Sequence, residues 1–318
     1  MISFSQNGLT TLLFHRFMFE GDSLSSARDR LRRQCDWLSK NFSPQSLDDA
    51  LRGLADNSRP PRPLLITIDD AKIEILEFAD VFAEFNLPVT IFVCVGWSAR
   101  ETPDEDTLLS RLVNDIQWYA GPPLSLATKW GQLLIGVDTA QTARSIDLIL
   151  AGREQPVDEC EAVLSRLQLT TEVRTQRVSC SWQELAQLKA AGTAIGGHSV
   201  SHVRLASATP ARLWFEISET RRVLEARLGL CSAFAYPYGM AGTHNDLTRQ
   251  ELVRAGFRHA FLTHSAYAYA DTDLFQLPRI SMPDRSMGQF EFCLRSKGVG
   301  IPYRKLKRAL GGLLSRNN

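Results

Sequence analysis

The sequence predicts an α/β protein built as one (β/α) barrel with an insertion. Three observations carry that prediction. Short apolar runs alternate with amphipathic helical patterns along most of the chain. Its 318 residues suit a barrel of about 250 residues with extra chain added. The residues richest in chemistry, Asp69-Asp70 and His198-Ser-Val-Ser-His202, stand just after predicted strands, where such barrels build their sites.

Leu9–Phe14 (LTTLLF) reads as the first buried strand, and Arg28–Lys40 as a helix with Leu31, Cys35 and Leu38 on one face. The breaker PPRP introduces the strand Leu64–Ile68. Lys72–Phe85 then carries Ile75, Leu76, Ala79, Phe82 and Ala83 at helical spacing until Pro88, and Val89–Val95 is a third strand. From Arg100 to about Val178 the rhythm breaks. This polar stretch predicts a mainly helical insertion over 98–178, folded over the barrel as a lid. Ser181-Trp-Gln-Glu184 is a capping box that opens a helix ending near Gly192. A short strand, TAIGG, leads to His198, and Thr209-Pro210 opens the next helix. Ala233–Tyr236 is a strand, Asp246–Ala255 a helix closed by Gly256, and His259–Thr263 a strand. In the basic tail, 299–318, leucines oppose lysines and arginines. A solvated terminal helix is expected there, with weak attraction to a membrane surface as the second reading.

A 44% hydrophobic and 22% charged composition is that of a globular enzyme, and a net charge of +1 removes the basic excess expected of a nucleic-acid binder. Six scattered cysteines (35, 94, 160, 180, 231 and 293) form no C-x-x-C pair, so reduced, buried thiols are expected. No secretory signal and no apolar run of about 20 residues is read, which makes the cytoplasm the expected compartment.

Two adjacent carboxylates after a buried strand need compensation by a metal ion or an arginine; a helix-capping aspartate is the plain alternative. Two imidazoles four residues apart share one face of a helical turn and suit a divalent ion completed by a carboxylate; the plain alternative is two surface histidines. The GHSVS run fails as a serine-nucleophile elbow, because Ser201 stands where a glycine is required. Phe234-Ala-Tyr-Pro-Tyr-Gly239 ends a strand in a rigid turn able to aim a backbone N–H.

Taken together and in this order, these segments resemble the polysaccharide deacetylase family, carbohydrate esterase family 4. Thr67-Ile-Asp-Asp-Ala71 matches its T-F-D-D-G motif, His198–His202 its H-[ST]-x-x-H, and Ala235-Tyr-Pro-Tyr-Gly239 its R-x-P-Y-G. Leu13-Phe-His-Arg16, Pro88–Val93 and Leu277-Pro-Arg-Ile280 resemble further recurring segments, so the likeness covers about 9–97 and 180–282 and leaves the insertion unmatched.

The resemblance implies a distorted, seven-stranded TIM-like barrel and hydrolysis of an acetyl group on a sugar. Asp69 is then the general base, and Asp70, His198 and His202 hold one divalent ion. Zinc is the first choice, with cobalt, manganese, nickel and iron also suited. The Tyr238 N–H faces the developing oxyanion. Three departures stand out. Ala71 replaces a glycine, which a right-handed or extended backbone tolerates. Ala235 replaces the arginine that orients the base, and Arg279 is expected to act in its place. No L-x-H motif supplies the general acid; His264 is the first candidate and His259 the second. Trp97, Trp118, Trp130 and Trp182 are candidates to stack sugar rings. The leading expectation is a sugar N-deacetylase acting on a surface polysaccharide, glycolipid or precursor. An amide or imide hydrolase on a non-sugar substrate, or a glycan binder without activity, are the alternatives.

Overall fold

The computed structural model describes residues 7–101, 104–152, 156–170 and 178–282; Cys293 and the tail 299–318 lie outside them. In chain order the elements are β1 (Thr10–Phe14), α1 (Leu24–Asn41), β2 (Ser43–Pro44), α2 (Leu47–Asp56), β3 (Pro63–Asp69), α3 (Ala79–Glu84) and β4 (Val89–Val93). The insertion follows with α4 (Val95–Glu101), α5 (Leu108–Gln117), β5 (Leu124–Thr128), β6 (Gly131–Ile135), α6 (Thr139–Ala151) and α7 (Val157–Thr170). The barrel then resumes with α8 (Trp182–Ala190), β7 (Ala194–Gly197), α9 (Pro210–Leu228), β8 (Ala233–Ala235), α10 (Asp246–Ala255), β9 (His259–Phe261) and β10 (Ile280–Ser281).

The main sheet is parallel and curled, with strand order β10-β1-β3-β4-β7-β8-β9 and β2 added beside β3. Seven strands thus form a distorted half-barrel flanked by helices. The segment ending in β10 reaches both edges: Leu277 bridges Phe261 of β9, and Ile280 pairs with Leu12 of β1. Strand alternation divides the apolar residues into two layers. Leu65, Phe92, Ala233, Ala235, Phe261 and Leu277 form one cluster with α2. Ile66, Ile68, Ile91 and Val93 pack in another with α1, α8 and α9. Phe92 needs a small neighbour, because a Cβ on Gly196, its register partner, would lie 2.4 Å from the Phe92 ring.

The local signals form as read. Ser181 accepts from the Glu184 N–H in a complete capping box, Thr209 caps α9 with Pro210 in its first turn, and Gly256 ends α10 at φ +92°. The helix expected over Lys72–Phe85 is instead broken into a 3-10 segment, Ile73–Glu77, and α3. The reason is long-range pairing. Lys72 bridges Ser179, the Ile73 N–H donates to the Val178 carbonyl and the Cys180 N–H to that of Ala71, so this chain is extended before a helix can start. Among the described residues α5, α6 and α7 share an apolar cluster of their own with the antiparallel hairpin β5–β6, which the helical reading missed. The insertion's first helix is anchored to the barrel: the Val95 and Gly96 N–H groups donate to the carbonyls of Ser199 and Val200. The start of α4 therefore lies directly against the His198–His202 turn.

Candidate functional site

Asp69 is the last residue of β3 and shares an inward face with Leu65 and Thr67. It is 1% exposed, a costly position for a carboxylate without a partner. Arg279, also fully buried, supplies that partner in a two-pronged pair: Nη1 donates to Oδ1 at 2.7 Å and Nη2 to Oδ2 at 2.8 Å. Arg279 is itself fixed by the Leu262 carbonyl at 2.8 Å and the Thr67 hydroxyl at 3.2 Å. Burial alone would raise the Asp69 pKa. The Arg279 charge, with His198, outweighs it and holds Asp69 at about 2.

Asp70 and Ala71 turn the chain at φ +74° and +49°. The alanine in place of the motif glycine therefore sits in the left-handed region, contrary to the expectation of an unstrained backbone. Five of the eight non-glycine residues with positive φ among those described (Asp70, Ala71, Ser199, His202 and Tyr238) belong to the three motif loops; such strain gathers at functional sites. At Ala71, relief of about 1–2 kcal/mol of strain by glycine is opposed by loss of a buried methyl, about 0.8 kcal/mol, and by unfolded-state entropy, about 0.4–1 kcal/mol. Ala71→Gly is thus expected to be near neutral in denaturant unfolding, although Ala71 is fully buried; a loss above about 2 kcal/mol would contradict the strain argument.

His198 and His202 close on Asp70 from the turn after β7. Their Nε2 atoms lie 3.7 and 3.6 Å from Asp70 Oδ1, and one ligand atom from each of the three residues lies within 4.8 Å of the others. Asp70 Oδ1 is buried with no hydrogen-bond partner among the described residues; Oδ2 faces Lys72 Nζ at 3.2 Å. His198 Nδ1–H donates to the Ala235 carbonyl at 2.7 Å, which orients the ring with Nε2 directed at Asp70. Burial, then the neighbouring imidazole of His198, pushes His202 down to about 4. An orphaned carboxylate oxygen and two imidazole nitrogens form a donor set that could hold a divalent first-row ion.

The turn carrying the histidines is held from behind by Glu216 of α9, a residue the sequence reading did not single out. Its fully buried carboxylate accepts from the Val200 N–H (2.8 Å), the Ser201 N–H (3.0 Å) and the Ser201 hydroxyl (2.6 Å), and pairs with Arg212 at 2.7 Å. Ser199 Oγ accepts the His202 N–H at 2.9 Å. The Ser201 carbonyl accepts the Trp118 indole N–H at 2.8 Å.

Tyr238 lies on the turn after β8 at φ +63°. Its carbonyl accepts the Thr263 hydroxyl at 2.8 Å, and its ring meets His202 edge-on at 4.8 Å. Its N–H makes no hydrogen bond among the described residues.

The candidate histidines separate. His264 is exposed on the loop after β9 and gives its carbonyl to the Arg279 N–H, while its side chain forms no ion pair or hydrogen bond with the centre. His259 begins β9, at the opposite end of the barrel from the site, and faces Asp48 and Arg258. His15, noted in the sequence only as part of LFHR, stands at the end of β1 with Nε2 3.9 Å from Asp69 Oδ2. Of the tryptophans, Trp97 packs on His202 (ring centroids 5.6 Å) and Trp118 holds the histidine turn, whereas Trp130 and Trp182 belong to the apolar clusters.

Fold and site together define a (β/α)-barrel protein with a carboxylate and a candidate metal centre at the strand ends. Residues 163–260 match the family model for polysaccharide deacetylase, a segment that takes in His198, His202 and Tyr238 but not Asp69-Asp70. The fold is similar to that of the Streptococcus pyogenes deacetylase PplD in complex with acetate (16% identity, 87% of this chain and 93% of that one, TM-score 0.57). It is similar also to IcaB from Ammonifex degensii (17%, 92% and 98%, TM-score 0.56) and to the BpsB deacetylase domain from Bordetella bronchiseptica (16%, 88% and 97%, TM-score 0.53). No curated protein matches the sequence. The likeness to the polysaccharide deacetylase family drawn from the motifs is therefore shown by the matched segment, and the solved structures share the fold.

Proposed function

We propose that this chain hydrolyses the acetamido group of an N-acetylated sugar, taking up water and releasing acetate and the free amine. The observation that carries the reading is the placement of an arginine-paired base, Asp69, 3.7 Å from His198 Nε2 and beside the Asp70–His198–His202 cluster. A divalent ion in that cluster, zinc by preference, would supply the positive charge that acidifies water and polarises the acyl carbonyl.

Asp69, held ionised by Arg279, accepts the proton of the attacking water, a contribution typically of about 10²–10⁴ in rate. The unengaged Tyr238 N–H donates to the oxygen that gains negative charge. The leaving amine then needs a proton. His264, the donor expected from the sequence, is exposed and unattached to the centre, whereas His15 stands beside the base. His15→Ala is expected to lower kcat about 10²–10³-fold and His264→Ala to change it less than threefold; the reverse ranking in acetate-release assays would return the role to His264.

The five described cysteines are all free and buried. Their state supports a reducing compartment, and we place the protein in the cytoplasm, acting on a precursor or a lipid-linked sugar.

The first test is metal content. The parent is expected to carry about one ion per chain, set by the one three-ligand cluster among the described residues, and Asp70→Ala and His202→Ala to lose it along with acetate release. A parent that holds no metal and takes up neither zinc, cobalt nor manganese would defeat the reading.

A further inference from the structure

Trp118 is a large apolar side chain left half exposed, at 50% of its surface. It ends α5, where its backbone N–H closes the helix on the Asn114 carbonyl. A tryptophan that served only to pack this helix end would bury its ring. Instead its indole N–H is fixed on the Ser201 carbonyl at 2.8 Å, one residue before His202. The turn offers that carbonyl outward because the Ser201 amide and hydroxyl are held inward by Glu216. The support beneath is rigid: a Cβ on Gly96 of α4 would come within 2.6 Å of the Val200 carbonyl, so the helices of the insertion abut the turn with no space between. Trp97, on α4, packs on the His202 ring. The insertion thus fixes a flat apolar face in solvent next to a candidate metal ligand.

Such a face suits the C–H surface of a pyranose ring, and its one polar group is already satisfied, so stacking there leaves no buried donor unpaired. We propose that Trp118 forms a glycan subsite, stacking a sugar unit next to the one that loses its acetyl group. The ligand is accordingly an oligomer or polymer of acetylated amino sugars, not a single sugar. This inference rests on the deacetylase reading above for the identity of the neighbouring unit.

The test uses the full-length metal-loaded protein, with Trp118→Ala and Trp118→Phe, and the N-acetylglucosamine pentamer and monomer as probes. Binding is measured calorimetrically, and turnover as acetate release and as hydrolysis of 4-nitrophenyl acetate. Trp118→Ala should weaken pentamer binding tenfold or more and raise its KM in step. Both variants lose the indole bond to Ser201, so any fall in kcat, metal content or ester hydrolysis should be shared by the two, whereas Trp118→Phe, which keeps a ring, should recover most of the pentamer affinity. Unchanged pentamer binding in Trp118→Ala, no pentamer binding by the parent, or pentamer binding that falls as far in Trp118→Phe as in Trp118→Ala would each overturn the subsite. Because binding is read without turnover, a parent that binds the pentamer through Trp118 but releases no acetate would defeat the deacetylase reading alone.

Discussion

Replacing Arg279 with alanine is expected to lower acetate release at pH 7 by about 10²–10⁴, the contribution of a general base. The variant keeps Asp69 but leaves it 1% exposed without its two-pronged partner. Burial, the largest influence on this group, is then opposed only by the neighbouring histidines His198 and His15, and the carboxyl's pKa rises. The sign follows directly. In the parent, Asp69 ionises at about 2, so the base is available throughout the working range. In the variant, the acid limb of the rate profile should move upward, with activity partly recovered at alkaline pH. Stability should respond in the same sense. A carboxyl with a depressed pKa contributes stability above its unfolded value, about 3.9, and that contribution fades in the parent only as pH falls towards 2. Breaking the buried pair is expected to cost about 3–5 kcal/mol in denaturant unfolding. Arg279→Lys should fall between, since a single ammonium cannot reproduce the fork. Unchanged turnover in Arg279→Ala would remove the arginine from the mechanism.

The second large effect is expected at Glu216, through position alone. Its carboxylate gathers two backbone N–H groups of the histidine turn, the Ser201 hydroxyl and Arg212, all without solvent. In Glu216→Ala those donors lose their acceptor, and the buried Arg212 charge its partner. The expected cost is about 3–5 kcal/mol of stability, with metal affinity weakened about 10–100-fold as His198 and His202 lose their fixed separation. Metal titration separates the two effects: a Glu216 that only held the fold together would lower the unfolding midpoint and leave the affinity of the folded protein unchanged. Glu216→Gln, which keeps one oxygen for the turn, should retain more affinity than alanine.

The residues of the site differ in how far they could be read from the chain alone. Asp69-Asp70, His198–His202 and the Pro237-Tyr-Gly239 turn were legible because each is a local pattern: a polar group placed directly after an apolar strand. The caps at Ser181, Thr209 and Gly256 were legible for the same reason, since each bond closes within four residues or is set by one backbone angle. Arg279 was anticipated only as a replacement for the arginine missing at Ala235; its fork onto Asp69 spans 210 residues of sequence. Glu216 reads as one more polar position on an amphipathic helix, and nothing local distinguishes its buried carboxylate from a solvated one. The hairpin β5–β6 was lost in a stretch read as helical, although Leu124–Thr128 does alternate in exposure. Helix α2, capped by Ser46 and with Asp48 and Asp49 in its first turn, carried adequate signals but was not drawn out.

Sequence by itself therefore determined the alternating elements, their boundaries at caps and turns, and the residue types able to hold an ion and move a proton, because these depend on neighbours within a few positions. Tertiary structure decided which of them meet. Curling the parallel sheet brings the ends of β1, β3, β7 and β8 together at one mouth with Arg279. That closure set His15 beside Asp69, left His264 on an exposed loop and carried His259 to the far end. Pairing of Lys72 with Ser179 likewise broke the predicted helix. Each outcome turned on contacts between residues far apart in the chain, 54 positions for His15 and Asp69 and 107 for Lys72 and Ser179, or on the end of the barrel at which a strand begins, and those are fixed only when the sheet closes around its core.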